Sequence, residues 1–154
     1  MKKTLIFLFA VISCLLIGLI ISRFQSEAFA SWYPSIVKSS LTPPDTIFTA
    51  AWLILYFFMG LSIGYIMTRN NPKEQLFLRL FTIQMLLSIL WNYFYFKQEP
   101  LVALIVIVLL AVAVFWYLFK MYFRANKFSF SLIVPYFLWT LFCGYLNLCV
   151  VAWN

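Results

Sequence analysis

Trp52 and Tyr56 stand one helical turn apart in an apolar run. Gln84, Ser88, Trp91 and Tyr95 recur in steps of three or four in a second run, and Trp139, Cys143, Leu146, Val150 and Asn154 in a third, with Asn147 beside them. At that spacing the members of each set share one face of a helix. Rings and amides side by side suit a definite kind of chemistry. Their π faces can stack on a large flat apolar ligand, each contact adding ~0.5–1.5 kcal/mol beyond area burial. Indole N–H, phenol, Ser and Asn groups can orient that ligand's polar edge. The same polar groups can instead pair between helices and hold a bundle together. The residue pattern fits both readings. Trp116, Tyr117 and Tyr122, next to Lys120 and Arg124, read differently, as an aromatic belt at a membrane surface.

The missing residue types exclude several function classes. With no histidine, His-ligated haem, most catalytic zinc sites and Ser-His or Cys-His nucleophiles are ruled out. The acids Glu27, Asp45, Glu74 and Glu99 all fall in connections or at helix ends, so no carboxylate relay for protons is visible. None of Gly18, Gly60, Gly64 and Gly144 belongs to a phosphate-cradling loop. Cys14, Cys143 and Cys149 form no CxxC and read as small buried hydrophobes. No metal site, cofactor or conventional catalytic constellation is expected.

The elements that must position the rings are membrane helices. The chain has 154 residues, 66% hydrophobic and 10% charged, with a mean hydropathy of +1.00. A spanning helix needs ~20 mostly apolar residues, and runs of that kind cover residues 4–22, 45–68, 76–97, 101–123 and 130–153. The fold class is therefore all-α: a polytopic five-helix transmembrane bundle forming a single domain over residues 1–154. The longest connection, 23–44, is where a lid over a cavity would sit. The net charge of +7 does not point to nucleic acid, because the basic residues stand at the ends of apolar runs. Lys2, Lys3, Arg69, Lys73, Arg79, Lys120, Arg124 and Lys127 fall on one side, against Arg23, Lys38 and Lys97 on the other. That asymmetry predicts a cytoplasmic N-terminus and an external C-terminus in the cell membrane. Lys2-Lys3, the first apolar run and Ala28-Phe29-Ala30 also fit a cleavable signal peptide. The run is long for one, and its loss would weaken the charge asymmetry, so five spans are retained. Thr42-Pro43-Pro44-Asp45 has the spacing of a capping box that starts the second helix. Gly60 and Gly64 form a GxxxG, which lets another backbone approach closely, within the bundle or across a dimer.

Further motifs carry a family resemblance. Trp32-Tyr33, Lys38, Pro43-Pro44, Phe48, Trp52, Leu55-Tyr56 and Met59-Gly60 resemble the first loop and second helix of the tryptophan-rich sensory protein and translocator protein (TspO/MBR) family, the peripheral-type benzodiazepine receptors. Gln84, Trp91, Phe96 and Pro100 resemble its third helix, and PYFLWTLFCGYLN, with Asn154, its fifth. The resemblance covers nearly the whole chain. It implies a homodimer of five-helix bundles with a cavity roofed by the first loop. The ligands it implies include porphyrins such as protoporphyrin IX, haem, isoquinoline carboxamides and, in mitochondrial members, cholesterol. Bacterial members are tied to tetrapyrrole regulation, and some to light- and oxygen-dependent breakdown of protoporphyrin. The matching pocket positions are Trp32, Tyr33, Trp52, Tyr56, Ser88, Trp91, Trp139, Phe142 and Asn147. Where the family has Asn then Ser on the third helix, this chain has Ser88 and Asn92, so the longer amide sits one turn further along and Ser88 reaches less far.

Three functions follow from the resemblance. The first is a porphyrin-binding membrane sensor, with photo-oxidative porphyrin breakdown as the activity in question. Trp52 and Trp139 would then be its redox partners, because an indole can hand over an electron. The second is a passive carrier of porphyrins or other lipophilic molecules, which needs openings on two sides. The third is a regulatory module whose partner is another protein.

Overall fold

A computed structural model describes residues 2–69, 73–124 and 127–154. Its elements are α1 (Lys2–Ala30), a 3₁₀ turn (Tyr33–Ser35), α2 (Asp45–Thr68), α3 (Glu74–Phe96), α4 (Pro100–Arg124) and α5 (Lys127–Trp153). Among the described residues there is no strand, and all five α-helices are long and apolar enough to cross a membrane. The fold is the expected all-α bundle. α1 packs on α2, α2 on α5, α5 on α4 and α4 on α3, while α3 returns more lightly to α1 and α2.

α1 departs from expectation. It continues past Ser22 to Ala30, so the connection expected over 23–44 is reduced to residues 31–44. Cys14, Gly18, Ile21, Gln25 and Ala28 lie on one buried face. Their steps of four and three carry the helical stripe straight through the stretch expected to be loop. Arg23 lies off that face and Glu27 is exposed, so neither interrupts it.

α2 begins at Asp45 as expected, but not through a capping box. Its N-cap is Pro44, with ψ 145° and no side-chain cap bond. Extended Pro44 ends the loop, and its carbonyl accepts the Phe48 N–H at 2.9 Å. The GxxxG is used within the chain. A Cβ on Gly60 would lie 2.7 Å from the Val11 Cα, and one on Gly64 would lie 3.0 Å from the Phe7 ring. Backbone therefore lies against backbone along α1 and α2, and the motif supplies no dimer surface.

Trp116 and Tyr122 are exposed, as a belt requires. Tyr117 is not part of it. It is fully buried, its ring 6.1 Å from Phe77 and 6.4 Å from Phe81. Helical rotation of about 100° per residue turns Tyr117 inward while its neighbour Trp116 faces out.

Candidate functional site

The half of the bundle nearest the first loop is filled by a continuous set of rings. Trp52 centres it, 5.5 Å from Trp91, 5.8 Å from Tyr56, 6.2 Å from Tyr136 and 6.5 Å from Phe48. Trp91 stacks on Tyr95 at 5.3 Å and 22°, and Tyr95 lies 6.2 Å from Tyr33 of the 3₁₀ turn. All are almost completely buried. α2, α3, α5 and the first loop each supply part of the set, so no helix could form it alone. α1 makes room for it, since a Cβ on Gly18 would come within 2.9 Å of the Tyr56 ring.

Polar groups divide into those that are paired and those that are not. Asn147 is engaged at both ends: its Oδ1 accepts the Trp91 indole N–H at 3.1 Å, and its Nδ2 donates to the Pro100 carbonyl at 2.8 Å. Ser88 shares a 2.8 Å hydrogen bond with the Tyr56 hydroxyl. Asn92, the displaced amide, donates to the Ser88 carbonyl at 2.9 Å and accepts from Gln25 at 3.1 Å, while Gln25 accepts from Thr49 at 3.1 Å. The amide therefore ties α3 to α1. Trp52 Nε1, Trp139 Nε1, the Tyr117 and Tyr136 hydroxyls and both amide atoms of Gln84 are buried without a hydrogen-bond partner among the described residues. A buried polar group in that state is costly and rare in a native fold.

The first loop closes this end of the bundle. Trp32 donates its indole N–H to the Phe96 carbonyl at 3.2 Å. Lys38 donates to the Tyr33 carbonyl at 2.9 Å and lies 4.3 Å over the Tyr33 ring. Asn154 accepts from the Val37 N–H at 2.9 Å and donates to the Val37 carbonyl at 3.0 Å, joining the end of α5 to the loop. Ser39 and Tyr145 share a further bond of 3.1 Å. Burial pushes the Tyr33 phenol above its ordinary range, so it stays a neutral hydroxyl under the lysine.

Trp139 and Phe142 stand apart from that centre. Both are half-buried, 5.4 Å apart, and Trp139 reaches Trp52 through Phe48, at 5.8 Å. Together with Ala51, Ile54, Leu55, Phe58, Pro135 and Leu138 they line an apolar groove of about 490 Å³ between α2 and α5. Of the expected site residues, then, Tyr33, Trp52, Tyr56, Ser88, Trp91 and Asn147 converge in the buried centre. Trp139 and Phe142 lie on its flank, and Trp32 lies on the rim at the loop end.

Tyr136, Tyr95, Gln25 and Asn92 belong to the same centre but are not among the expected site positions. Tyr95 is legible from the third-helix stripe, and Gln25 from the α1 stripe once it is read through to Ala28. Tyr136 is legible in the same way, because it stands three residues before Trp139 and seven before Cys143 and so extends the fifth-helix stripe by one turn.

Comparison with known proteins places these features in a family. The model for the TspO/MBR family matches residues 10–153. The chain is similar to the tryptophan-rich protein TspO of Chlorobaculum tepidum, 32% identical over 92% of this chain and 90% of the relative. It is also similar to the proteins of the same name from Archaeoglobus fulgidus, 31% identical over 94% of each, and Bacillus cereus, 30% identical over 80% of this chain and 81% of the relative.

Proposed function

The chain belongs to the TspO/MBR family, and from that premise we propose that it is a membrane sensor that binds porphyrins, protoporphyrin IX or haem, among the rings nearest the first loop. Light- and oxygen-dependent breakdown of the bound pigment is its activity under this proposal. One observation carries the reading. Trp52 sits among tilted and edge-on rings with its indole N–H buried and without a hydrogen-bond partner among the described residues, a site that supplies aromatic surface for a macrocycle and a donor for its edge. Tyr136, whose hydroxyl is also unpartnered, is the second candidate for that edge. Asn147 and Ser88 are already engaged and act as clamps that hold Trp91 and Tyr56 in place. Excited pigment would take one electron from an indole; the pigment radical anion would add dioxygen through a new C–O bond, and return of one electron to the indole radical cation would leave a neutral dioxygen adduct of the pigment, so that the net change is pigment plus O2 and the indole is restored. A passive carrier is the second reading; the groove between α2 and α5 supplies one of the two openings it needs.

Affinity measured in the dark, followed by the pigment spectrum under light at saturation, separates binding from chemistry. Trp52→Phe and Trp139→Phe should bind within roughly tenfold of the parent, since 1.4 kcal/mol is tenfold, yet lose light-driven breakdown. Breakdown at the parental rate in both variants would make the indoles pocket walls and favour the carrier.

The proposal includes a cytoplasmic N-terminus. Cysteine labelling from outside intact cells should mark a residue placed at Ser31 and spare one placed at Lys73; the reverse pattern would invert the topology. It also includes a homodimer, on family grounds, through a surface other than the glycine seam that α1 occupies. Crosslinking in native membranes that yields only monomer would remove the dimer.

A further inference from the structure

We infer that planar apolar ligands reach the ring centre sideways out of the bilayer, through the groove between α2 and α5 with Trp139 as its inner wall, and not past the first loop. This route rests on the proposed porphyrin site and concerns how that site fills. The groove and the centre are separated by the Phe48 ring: Trp139 lines the groove and lies 5.8 Å from Phe48, which is 6.5 Å from Trp52, so Trp139 and Phe48 are the rings an entering ligand must displace. Its lips, Ile54 and Leu138, are more than half exposed on the faces that spanning helices turn to lipid. A ligand dissolved among acyl chains meets an apolar groove there, walled by the rings of Phe58, Trp139 and Phe142. The volume, about 490 Å³, lies within the range of small-molecule sites, roughly 300–1,000 Å³.

Two features let this seam open. Pro135 sits on the α5 wall one turn before Trp139 and gives no N–H to its helix, so α5 lacks one of its rungs beside the groove. Trp139 has no side-chain hydrogen bond to break among the described residues, where its indole N–H is unpartnered. Trp91, by contrast, would have to leave Asn147. The loop route is more costly. Lifting residues 31–44 breaks the Trp32 and Ser39 bonds and both bonds joining Val37 to Asn154.

The route is tested with protein in lipid nanodiscs, protoporphyrin IX as the probe and the pigment's own absorbance as the signal. Ala51→Trp fills the groove from α2. Leu138→Trp crowds its exposed lip, where added bulk leaves the buried core untouched. A disulfide between Val37→Cys and Asn154→Cys fastens the loop. The groove variants should slow association roughly tenfold while Kd shifts less than about threefold, because an obstructed passage slows entry and exit alike. The fastened loop should bind at the parental rate. Slow binding by the fastened loop, with parental rates in both groove variants, would overturn the route. Weaker binding at an unchanged association rate would also overturn it, by making the groove a wall of the site. Should the parent fail to bind protoporphyrin at all, the porphyrin reading falls instead, and that outcome is read before any variant is compared.

Discussion

Towards α1, helix α2 presents Gly60 and Gly64, and the two backbones approach so closely that a single added Cβ would meet Val11 Cα at 2.7 Å. Towards α5, the same helix presents Ala51, Leu55 and Phe58 to Trp139 and Phe142, and the bulk of those rings props the seam into a groove. Both seams are apolar, and apolar surface gains nothing by leaving apolar lipid, so close packing is what holds membrane helices together. A seam of small residues fits tightly, whereas a seam of rings leaves gaps that a flat molecule can fill. One helix therefore serves as anchor on one side and as gate on the other.

The largest effect should come from forcing the tight seam apart. Gly60→Leu cannot be absorbed by a rotamer change, since the obstacle is backbone. It should destabilise the fold by about 3 kcal/mol or more, the upper range for overpacking, read as a lower thermal midpoint in detergent. An unchanged midpoint would mean that the seam has slack, and the contrast between seams would fail.

Next in size, Trp91→Phe removes the interhelical bond to Asn147 and should cost ~0.6–1.7 kcal/mol, the span for such bonds in membranes. Unfolding with increasing SDS can resolve a loss of that size. A third seam gives a control of opposite sign. Gly144 faces α4, and a Cβ added there would meet nothing closer than an Ile107 methyl at 3.8 Å. Gly144→Ala should therefore stabilise α5 by up to ~1 kcal/mol through helix propensity alone. The smallest effect belongs to the gate. Trp139→Phe deletes an N–H that has no hydrogen-bond partner among the described residues, and the midpoint should move by less than ~0.5 kcal/mol in equivalent stability. A loss equal to that of Trp91→Phe would show that Trp139 is a clamp too, and that the α2–α5 seam is held shut.

The membrane spans are legible in the sequence because hydropathy is a sum over one continuous segment, and four of the five helices lie within a few residues of the expected bounds. The third-helix stripe is legible as well, since Gln84, Ser88, Trp91 and Tyr95 share a face that is buried whatever lies opposite. The end of α1 is hidden because Arg23, Gln25 and Glu27 lower the hydropathy there, although the helical stripe continues beneath them. The cap at Thr42 misleads because its spacing is right, while the helix takes the extended Pro44 as its N-cap and makes no side-chain cap bond.

The chain by itself determined which residues would lie in the membrane, which would share a face, and which family their motifs resemble. All of these are set by order along one helix, at 3.6 residues per turn. Only the tertiary structure decided what each face meets. It placed Gly60 against Val11 within the chain, bound Asn147 to Trp91, and left Trp52 and Trp139 with unused N–H groups. Partners of that kind come from helices remote in sequence, and their distances depend on how whole helices pack.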